Sequence, residues 1–394
     1  MKKTVMLTLA ATLALASNAR AQSNVTLYGI LDEGVNYNSN AGGARSVAVQ
    51  SGVMQGSRWG MRGSEDLGGG LSAVFMLENG FDLSSGKASQ GGLLFGRQAY
   101  VGLQNSFGTL TIGRQNDSGA DFVGPLESGN QWAGNIGAHP GDLDNLNNTV
   151  RTNNAVKFRS RSFNGASFGA MYSFGGVPGS LARNQVWSLG AGYDGGPVAL
   201  AVGYLNVRNP NVAFFGNATT GTPSATVANS SYPIYSGYLS ANSYQVFSAG
   251  GRYTFGPATF GLVYANVGFD GLGSAVNGPN PAKYSGSAYF NLVEANLRYV
   301  LTPALSFGLA YTYTSGSRVA SATGTNNGAI YRQVQAGADY LLSTRTDVYV
   351  IGIYQQASGT DSRNFPAVAS INNQSSPSTT GSQTLVRLGI RHRF

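Results

Sequence analysis

Apolar and polar residues alternate with a period of two along most of this chain, and the alternation persists to its last residue. In 71–83, Leu71, Ala73, Phe75, Leu77, Phe81 and Leu83 share one parity, while Ser72, Glu78 and Asp82 hold the other. In 305–313, Leu305, Phe307, Leu309, Tyr311 and Tyr313 alternate with Ser306, Gly308, Ala310 and Thr312. In 332–342, Val334, Ala336, Ala338, Tyr340 and Leu342 alternate with Gln333, Gln335 and Asp339. Successive side chains of a strand point to opposite faces, so each segment predicts a strand with one apolar face. Each has about the 9–11 residues that a tilted strand needs to cross a bilayer.

Turn residues divide these strands unevenly. Short turns fall at 66–70, 105–108, 163–165, 194–197, 255–257, 301–303 and 342–345. Longer polar connections fall near 39–54, 84–92, 117–151, 176–184, 208–241, 269–286, 316–329 and 358–381. Seven short turns alternating with eight long loops join sixteen strands and leave both termini on the short-turn side. Short turns on one side and long loops on the other are the asymmetry of bacterial transmembrane barrels. The predicted fold class is therefore all-β, a sixteen-stranded antiparallel transmembrane β-barrel. The polar runs 217–231 and 370–382 read as solvent-exposed loop tips within that one domain, because the alternation resumes after each.

The N-terminus changes the picture once. Residues 1–21 hold Lys2 and Lys3, an apolar run over 5–16, and the small-x-small site Ala19-Arg20-Ala21. The run falls short of the ~20 residues of a spanning helix and reads as a cleaved export signal. The expected organisation is a signal peptide over 1–21 and an outer-membrane barrel over 22–394. Cysteine is absent, so stability must come from strand pairing and closure rather than disulfides. Charged residues make up only 11% of the chain, against 56 glycines and 21 tyrosines, a composition suited to lipid-facing strands, tight turns and aromatic girdles. The net charge of +8 falls to about +5 without Lys2, Lys3 and Arg20. No dense Lys/Arg run exists, so a nucleic-acid partner is not expected. Arginines spread over alternating positions fit an anion-attracting channel instead.

Parity sorts those charges, because a charge on the lipid face costs ~2–4 kcal/mol at mid-membrane. Arg58 and Arg62 oppose Trp59 and Met61; Lys157, Arg159 and Arg161 oppose Val156 and Phe158; Glu78 opposes Phe75 and Leu77. Glu294 and Arg298, and Arg387, Arg391 and Arg393 in the last strand, turn inward by the same argument. Arg97 and Arg114 share parity with apolar neighbours. Either they sit at a rim, or the apolar residues beside them face inward beneath a loop.

Several segments together resemble the general porins of Gram-negative bacteria, in particular the trimeric beta-proteobacterial type. They are Val25-Thr26-Leu27-Tyr28-Gly29, Ser57-Arg58-Trp59-Gly60, Gly63-Ser64-Glu65-Asp66-Leu67-Gly68, Gly96-Arg97-Gln98-Ala99-Tyr100-Val101-Gly102-Leu103, Phe107-Gly108-Thr109-Leu110-Thr111-Ile112-Gly113-Arg114-Gln115, Asn153-Asn154-Ala155-Val156-Lys157-Phe158 and the terminal Phe394. The resemblance covers the whole mature chain. It implies a homotrimer whose third long loop folds inward to form the constriction, with Arg97 in the eyelet. It also implies that Phe394 is the signal read by the barrel-assembly machinery, and that lipid and lipopolysaccharide surround the barrel. The loop itself supports an inward fold: it is the longest, and it carries Trp132, His139 and the acids Asp117, Asp121, Glu127, Asp142 and Asp144.

The expected constriction pairs the bases Arg58, Arg62, Arg97, Arg151 and Lys157 with the acids Glu78, Asp117, Asp121 and Glu127 across a transverse field. The alternative role for these residues is to fix the loop through salt bridges. Other chemistry has weak support. Gly190-Ala191-Gly192-Tyr193-Asp194-Gly195 matches a dinucleotide fingerprint by letter but has no helix after it. His139 and His392 are the only histidines, and neither sits in a triad pattern; His392 reads as an interfacial residue. No cofactor or metal is expected; the loop acids would take calcium only if several converged. The expected function is passive diffusion of small hydrophilic solutes with a preference for anions, without catalysis. The alternatives are a solute-specific channel, or a surface adhesin using the loops at 208–241 and 358–381.

Overall fold

The computed structural model describes residues 24–218, 223–274, 277–322 and 324–394. The expected signal peptide, 1–21, lies outside them. The strands are β1 (Asn24–Ala41), β2 in two pieces (Ala44–Ser51 and Arg58–Gly68), β3 (Leu71–Gly80), β4 (Gln98–Gln104), β5 (Gly108–Gln115), β6 (Thr152–Ser160), β7 (Ala166–Ser173) and β8 (Val186–Gly195). They continue with β9 (Val198–Arg208), β10 (Ser243–Phe255), β11 (Ala258–Leu272), β12 (Gly286–Val300), β13 (Leu305–Gly316), β14 (Ala329–Leu341), β15 (Thr346–Gly359) and β16 (Ser382–Arg393). Every strand pairs antiparallel with its sequence neighbours, and β1 closes the cylinder against β16 from Ile30↔Arg393 to Asn38↔Leu385. Closure leaves no open edge, as a bilayer interior requires of any sheet that crosses it.

The alternation read from the sequence places the faces. Val101, Leu103, Leu262, Val293, Tyr311 and Leu388 are exposed on the outer surface, whereas Glu294, Thr312, Gln333, Gln335, Gln355 and Arg387 are buried on the inner one. Arg387, fully buried, binds Asp32 Oδ1 (2.9 Å) and donates to Tyr349 Oη (2.7 Å), tying β16 to β1 and β15.

The loop expected over 39–54 is mostly strand. Gly42 and Gly43, both at positive φ, make a tight turn, and residues 44–51 pair back onto β1. The irregular part is confined to 52–57, where the chain bends inward and buries Val53 and Met54. Ser57 Oγ takes the Asp32 N–H (3.1 Å), and Asp32 Oδ2 takes the Gln55 N–H (2.6 Å), so Asp32 holds this break.

The third long loop, 116–151, crosses the barrel interior and lies along the wall. Asp117 caps the short helix Ser118–Phe122 by accepting the Ala120 N–H (3.0 Å). Phe122 packs on Gly190 and Gly192, which belong to the strand that matched a nucleotide fingerprint by letter. Further along, Ser128 is held by Glu294 on β12, Asn135 N donates to Val53 O (2.7 Å), and Asn372 Oδ1 takes the Gly141 N–H (2.7 Å).

A second loop also turns inward. Residues 209–242, expected to be a polar loop with an exposed tip over 217–231, bury Phe214, Phe215, Tyr235 and Tyr238 against the inward Tyr244, Phe269 and Phe290. Ring centroids in this cluster lie 5.0–6.1 Å apart, the range of favourable aromatic pairs. Several inward positions of β9–β12 (Leu205, Val207, Val246, Val267, Leu292) are apolar for this reason. The loop fills one side of the lumen and leaves the open passage against β2–β6.

Candidate functional site: the basic passage

Two voids make up that passage. The outer one, about 710 Å³, is bordered by Arg58, Glu78, Arg97 and Arg151. The inner one, about 610 Å³, is bordered by Arg62, Tyr100, Asp121, Lys157, Arg159 and Arg161. Gln98 and Asn116 line both and mark the waist between them.

β2 supplies Arg58 and Arg62 two turns of the pleat apart, both on the inner face, as parity requires. Arg58 Nε donates to Gly56 O (2.9 Å), and the Arg62 guanidinium stands 5.4 Å from the centre of the Tyr28 ring. Arg97 reaches the passage without its apolar neighbours turning inward. It precedes β4, so alternation does not bind it, while Val101 and Leu103 stay outward at 60% and 47% exposure. Its Nε donates to Glu78 Oε1 (2.7 Å), and Glu78 Oε2 accepts from Tyr28 Oη (2.9 Å). Arg114 faces away from the passage: it sits at a register shift at the outer end of β5, donating to Gly96 O (2.9 Å) and to Asn153.

Arg151 closes the inward loop. It is buried, and among the described residues its Nε has no hydrogen-bond partner and its guanidinium makes one long contact, to Thr149 O (3.4 Å). Burial, with Arg97, Arg114 and Arg58 close by, lowers its pKa well below the usual arginine range. A guanidinium left in this position favours an anion beside it. Below the waist, Lys157 Nζ pairs with Asp121 and donates to Asn116 O (2.8 Å), while Arg159 lies 3.5 Å from Asp121 and 4.9 Å from the centre of the Phe122 ring.

The acids are arranged differently from the expected transverse field. Glu78 lines the passage from the wall beside Arg97, whereas Asp121 lines it from the loop and pairs across with the wall base Lys157. Asp117 and Glu127 border neither void. Asp117 is spent on the helix cap and on Asn145 Nδ2 (2.8 Å). Glu127 is fully buried behind the loop, where it accepts the His139 N–H (3.0 Å). Burial pushes Glu127 well above the usual carboxylate range, and Glu294, Asp144 and Asp142 add to this against the opposing pull of His139. Toward the outer void the loop presents amides: Asn116, Asn130, Asn147 and Asn148. Loop carboxylates fold inward because the loop's own backbone offers donors; Asp142, for instance, accepts the N–H groups of Asn147 (3.0 Å) and Thr149 (2.8 Å). The Asp117-Ser118 pair ahead of a short apolar stretch was a legible capping signal. Arg159 and Arg161, turned inward by parity, belong with the bases of the inner void. The grouping of His139 with Asp144, Glu127 and Glu294 had no sequence signal, because β12 is distant in the chain.

Three guanidiniums face two carboxylates, Glu78 and Asp82, in the outer void, and four bases face one carboxylate in the inner void. A closed barrel with a charged aqueous passage narrowed by an inward loop defines a passive channel across a membrane. The chain belongs to the Gram-negative porin family, whose model matches residues 7–360. It is 31% identical over 431 aligned positions, spanning all of both chains, to an outer membrane porin protein of Bordetella pertussis. It is 34% identical over 208 residues to outer membrane porin protein 32 of Delftia acidovorans, covering 49% of this chain and 57% of that one. Among solved structures, the anion-selective porin from Comamonas acidovorans superposes with a TM-score of 0.72 at 21% identity, covering 95% of this chain and 100% of that one. OmpT of Vibrio cholerae in its trimer form gives 0.63 at 17%, covering 94% and 99%. The protein is thus an outer-membrane channel.

Proposed function

We propose that this porin passes small hydrophilic solutes by passive diffusion and prefers anions, using Arg58, Arg97 and Arg151 above the waist and Arg62, Lys157, Arg159 and Arg161 below it. The observation that carries this reading is the excess of bases in both voids, with the loop's other acids withdrawn from the passage. Clefts lined by one sign of charge with low-dielectric walls raise the local concentration of counter-ions. Glu78 and Asp121 serve mainly to hold Arg97 and Lys157 in place. The name of the Comamonas protein, an anion-selective porin, agrees with this assignment.

The same reading makes the chain a homotrimer, in keeping with the trimer form of OmpT. The mature protein starts at Gln22 after signal removal, with Phe394 presented to the assembly machinery and lipid and lipopolysaccharide around the barrel. No bond is made or broken in transit; His392 simply meets Thr346 Oγ1 (2.9 Å) at the short-turn end. The test is reversal potential in planar bilayers under a salt gradient. The wild type should read as anion-selective, and Arg58→Gln with Arg97→Gln should move the potential toward that of a neutral pore. An unchanged potential would remove the assignment.

A further inference from the structure

We propose that Glu127, His139 and Glu294 form a binding site for a divalent transition-metal cation of the zinc class, which pins the inward loop to the barrel wall. Nothing in the diffusion function requires this site, and its occupancy is measured independently of conductance.

The three residues come from two elements. Glu127 and His139 lie on the loop and Glu294 on β12. All three are fully buried, and their potential ligand atoms fall within 4.8 Å of one another. His139 Nε2 lies 3.4 Å from Glu294 Oε2, yet it makes no hydrogen bond and is sealed from solvent. A buried ring nitrogen whose nearest acceptor stands too far off-line for a good hydrogen bond is rare, and a metal ion between the two would satisfy both. A separation near 3.4 Å is what two ligands adopt around a tetrahedral cation with bonds of about 2.0–2.2 Å.

The surroundings are those of a ligand set. His139 Nδ1 meets Asp144 Oδ2 at 2.6 Å, which fixes the ring with Nε2 pointing at Glu294. A carboxylate behind a histidine in this way fixes the ring and raises its basicity as a metal ligand. Glu294 is oriented by Ser128 N (2.7 Å), Ser128 Oγ (2.7 Å) and Asn296 Nδ2 (2.8 Å). Glu127 is oriented by His139 N (3.0 Å) and Asn130 Nδ2 (3.2 Å). Three carboxylates thus surround one imidazole, and among the described residues no lysine or arginine pairs with any of them. A dication bound there would displace the protons that Glu127 and the imidazole otherwise keep. One imidazole with two carboxylates suits zinc, cobalt or nickel; calcium and magnesium take oxygen ligands.

The untagged, folded protein, stripped with a chelator and then dialysed against Zn²⁺ alone at neutral pH, should retain one zinc per chain by elemental analysis. Co²⁺ in its place should give the visible bands of a low-coordinate site. Asp144→Asn, which leaves all three ligands in place, should weaken binding by about 10–100-fold, and His139→Ala should abolish it. Zinc should also slow proteolytic cleavage of the loop in the wild type, a readout that needs no variant to fold. Wild type that retains no zinc, or His139→Ala that retains as much, would overturn the proposal.

Discussion

Trp132 lies face-down on Gly308: a Cβ at position 308 would stand 2.0 Å from the Trp132 ring. Gly337 on the next strand is similarly close, at 3.1 Å. The indole of the inward loop therefore occupies a groove that exists only because two wall residues lack side chains. Gly308→Ala should lift the indole toward the passage. Overpacking of this kind costs ~1–3 kcal/mol, small beside the pairing of sixteen strands, so the barrel should still assemble. The expected outcome is lower single-channel conductance with a shifted tryptophan emission, while detergent-resistant assembly remains intact.

Glu78 tests the charge balance in the direction opposite to the arginines. It is the one carboxylate among the loop-and-wall charges that hold Arg97 in the outer void, at 2.7 Å. Glu78→Gln keeps the shape and the Tyr28 contact but frees one positive charge. Reversal potentials should become more anion-selective, and the effect should shrink as salt shortens the screening length to ~3 Å at 1 M. A move toward cation selectivity would mean that the excess of bases does not set the sign.

The barrel was legible because lipid punishes misplaced charge: parity alone turned Arg58, Arg62, Glu78, Lys157 and Arg387 inward, and the structure has them there. Parity failed where alternation stops governing. Arg97 sits just outside its strand, and Arg114 sits at a register shift. The acids misled for another reason. A carboxylate's partner depends on which donors are nearest, and for Asp117 and Asp142 these are backbone N–H groups a few residues along. The run 217–231 was read as an exposed tip from its own composition, but Phe214, Phe215, Tyr235 and Tyr238 flank it, and their partners on β10–β12 are visible only after folding.

Asp142 predicts a pH dependence. Burial, then the neighbouring Asp144, pushes its carboxyl up to about 6, against the hydrogen bonds from Asn147 and Thr149. The folded loop thus binds this proton more tightly than the unfolded chain does. That contribution is complete below the ordinary aspartate value and is lost as pH rises through about 6, amounting to at most ~3 kcal/mol. Asp142→Asn cannot ionise, so the thermal midpoint of the variant relative to wild type should climb as pH is raised from roughly 4 to above 6 and then level off. A difference that is flat with pH would contradict the assignment.

The second inward loop should matter for the width of the outer passage. Tyr235 stacks on Phe215 (5.0 Å) and Phe269 (6.0 Å), so it joins the loop to the wall. Tyr235→Ala removes a buried aromatic at a cost of ~3–5 kcal/mol to the local packing. The loop should loosen before the barrel does. Larger conductance with increased current noise, and faster protease cleavage within 209–242, are the expected results.

Phe394 ends the chain by sealing the barrel. Its backbone exchanges both hydrogen bonds with Gly29: Gly29 N to Phe394 O at 3.0 Å, and Phe394 N to Gly29 O at 3.1 Å. Its ring covers the position that a Cβ at Gly29 would take, 2.3 Å away. Deleting Phe394 removes the last pair of the closing ladder and a ring that borders neither void. The deletion should reduce the yield of assembled protein in the outer membrane, while the molecules that do insert conduct like wild type. Gly29→Ala, which keeps the terminal residue but displaces its ring, separates the two contributions. If recognition of the aromatic end dominates, this variant assembles nearly normally; if the docked ring dominates, it fails like the deletion.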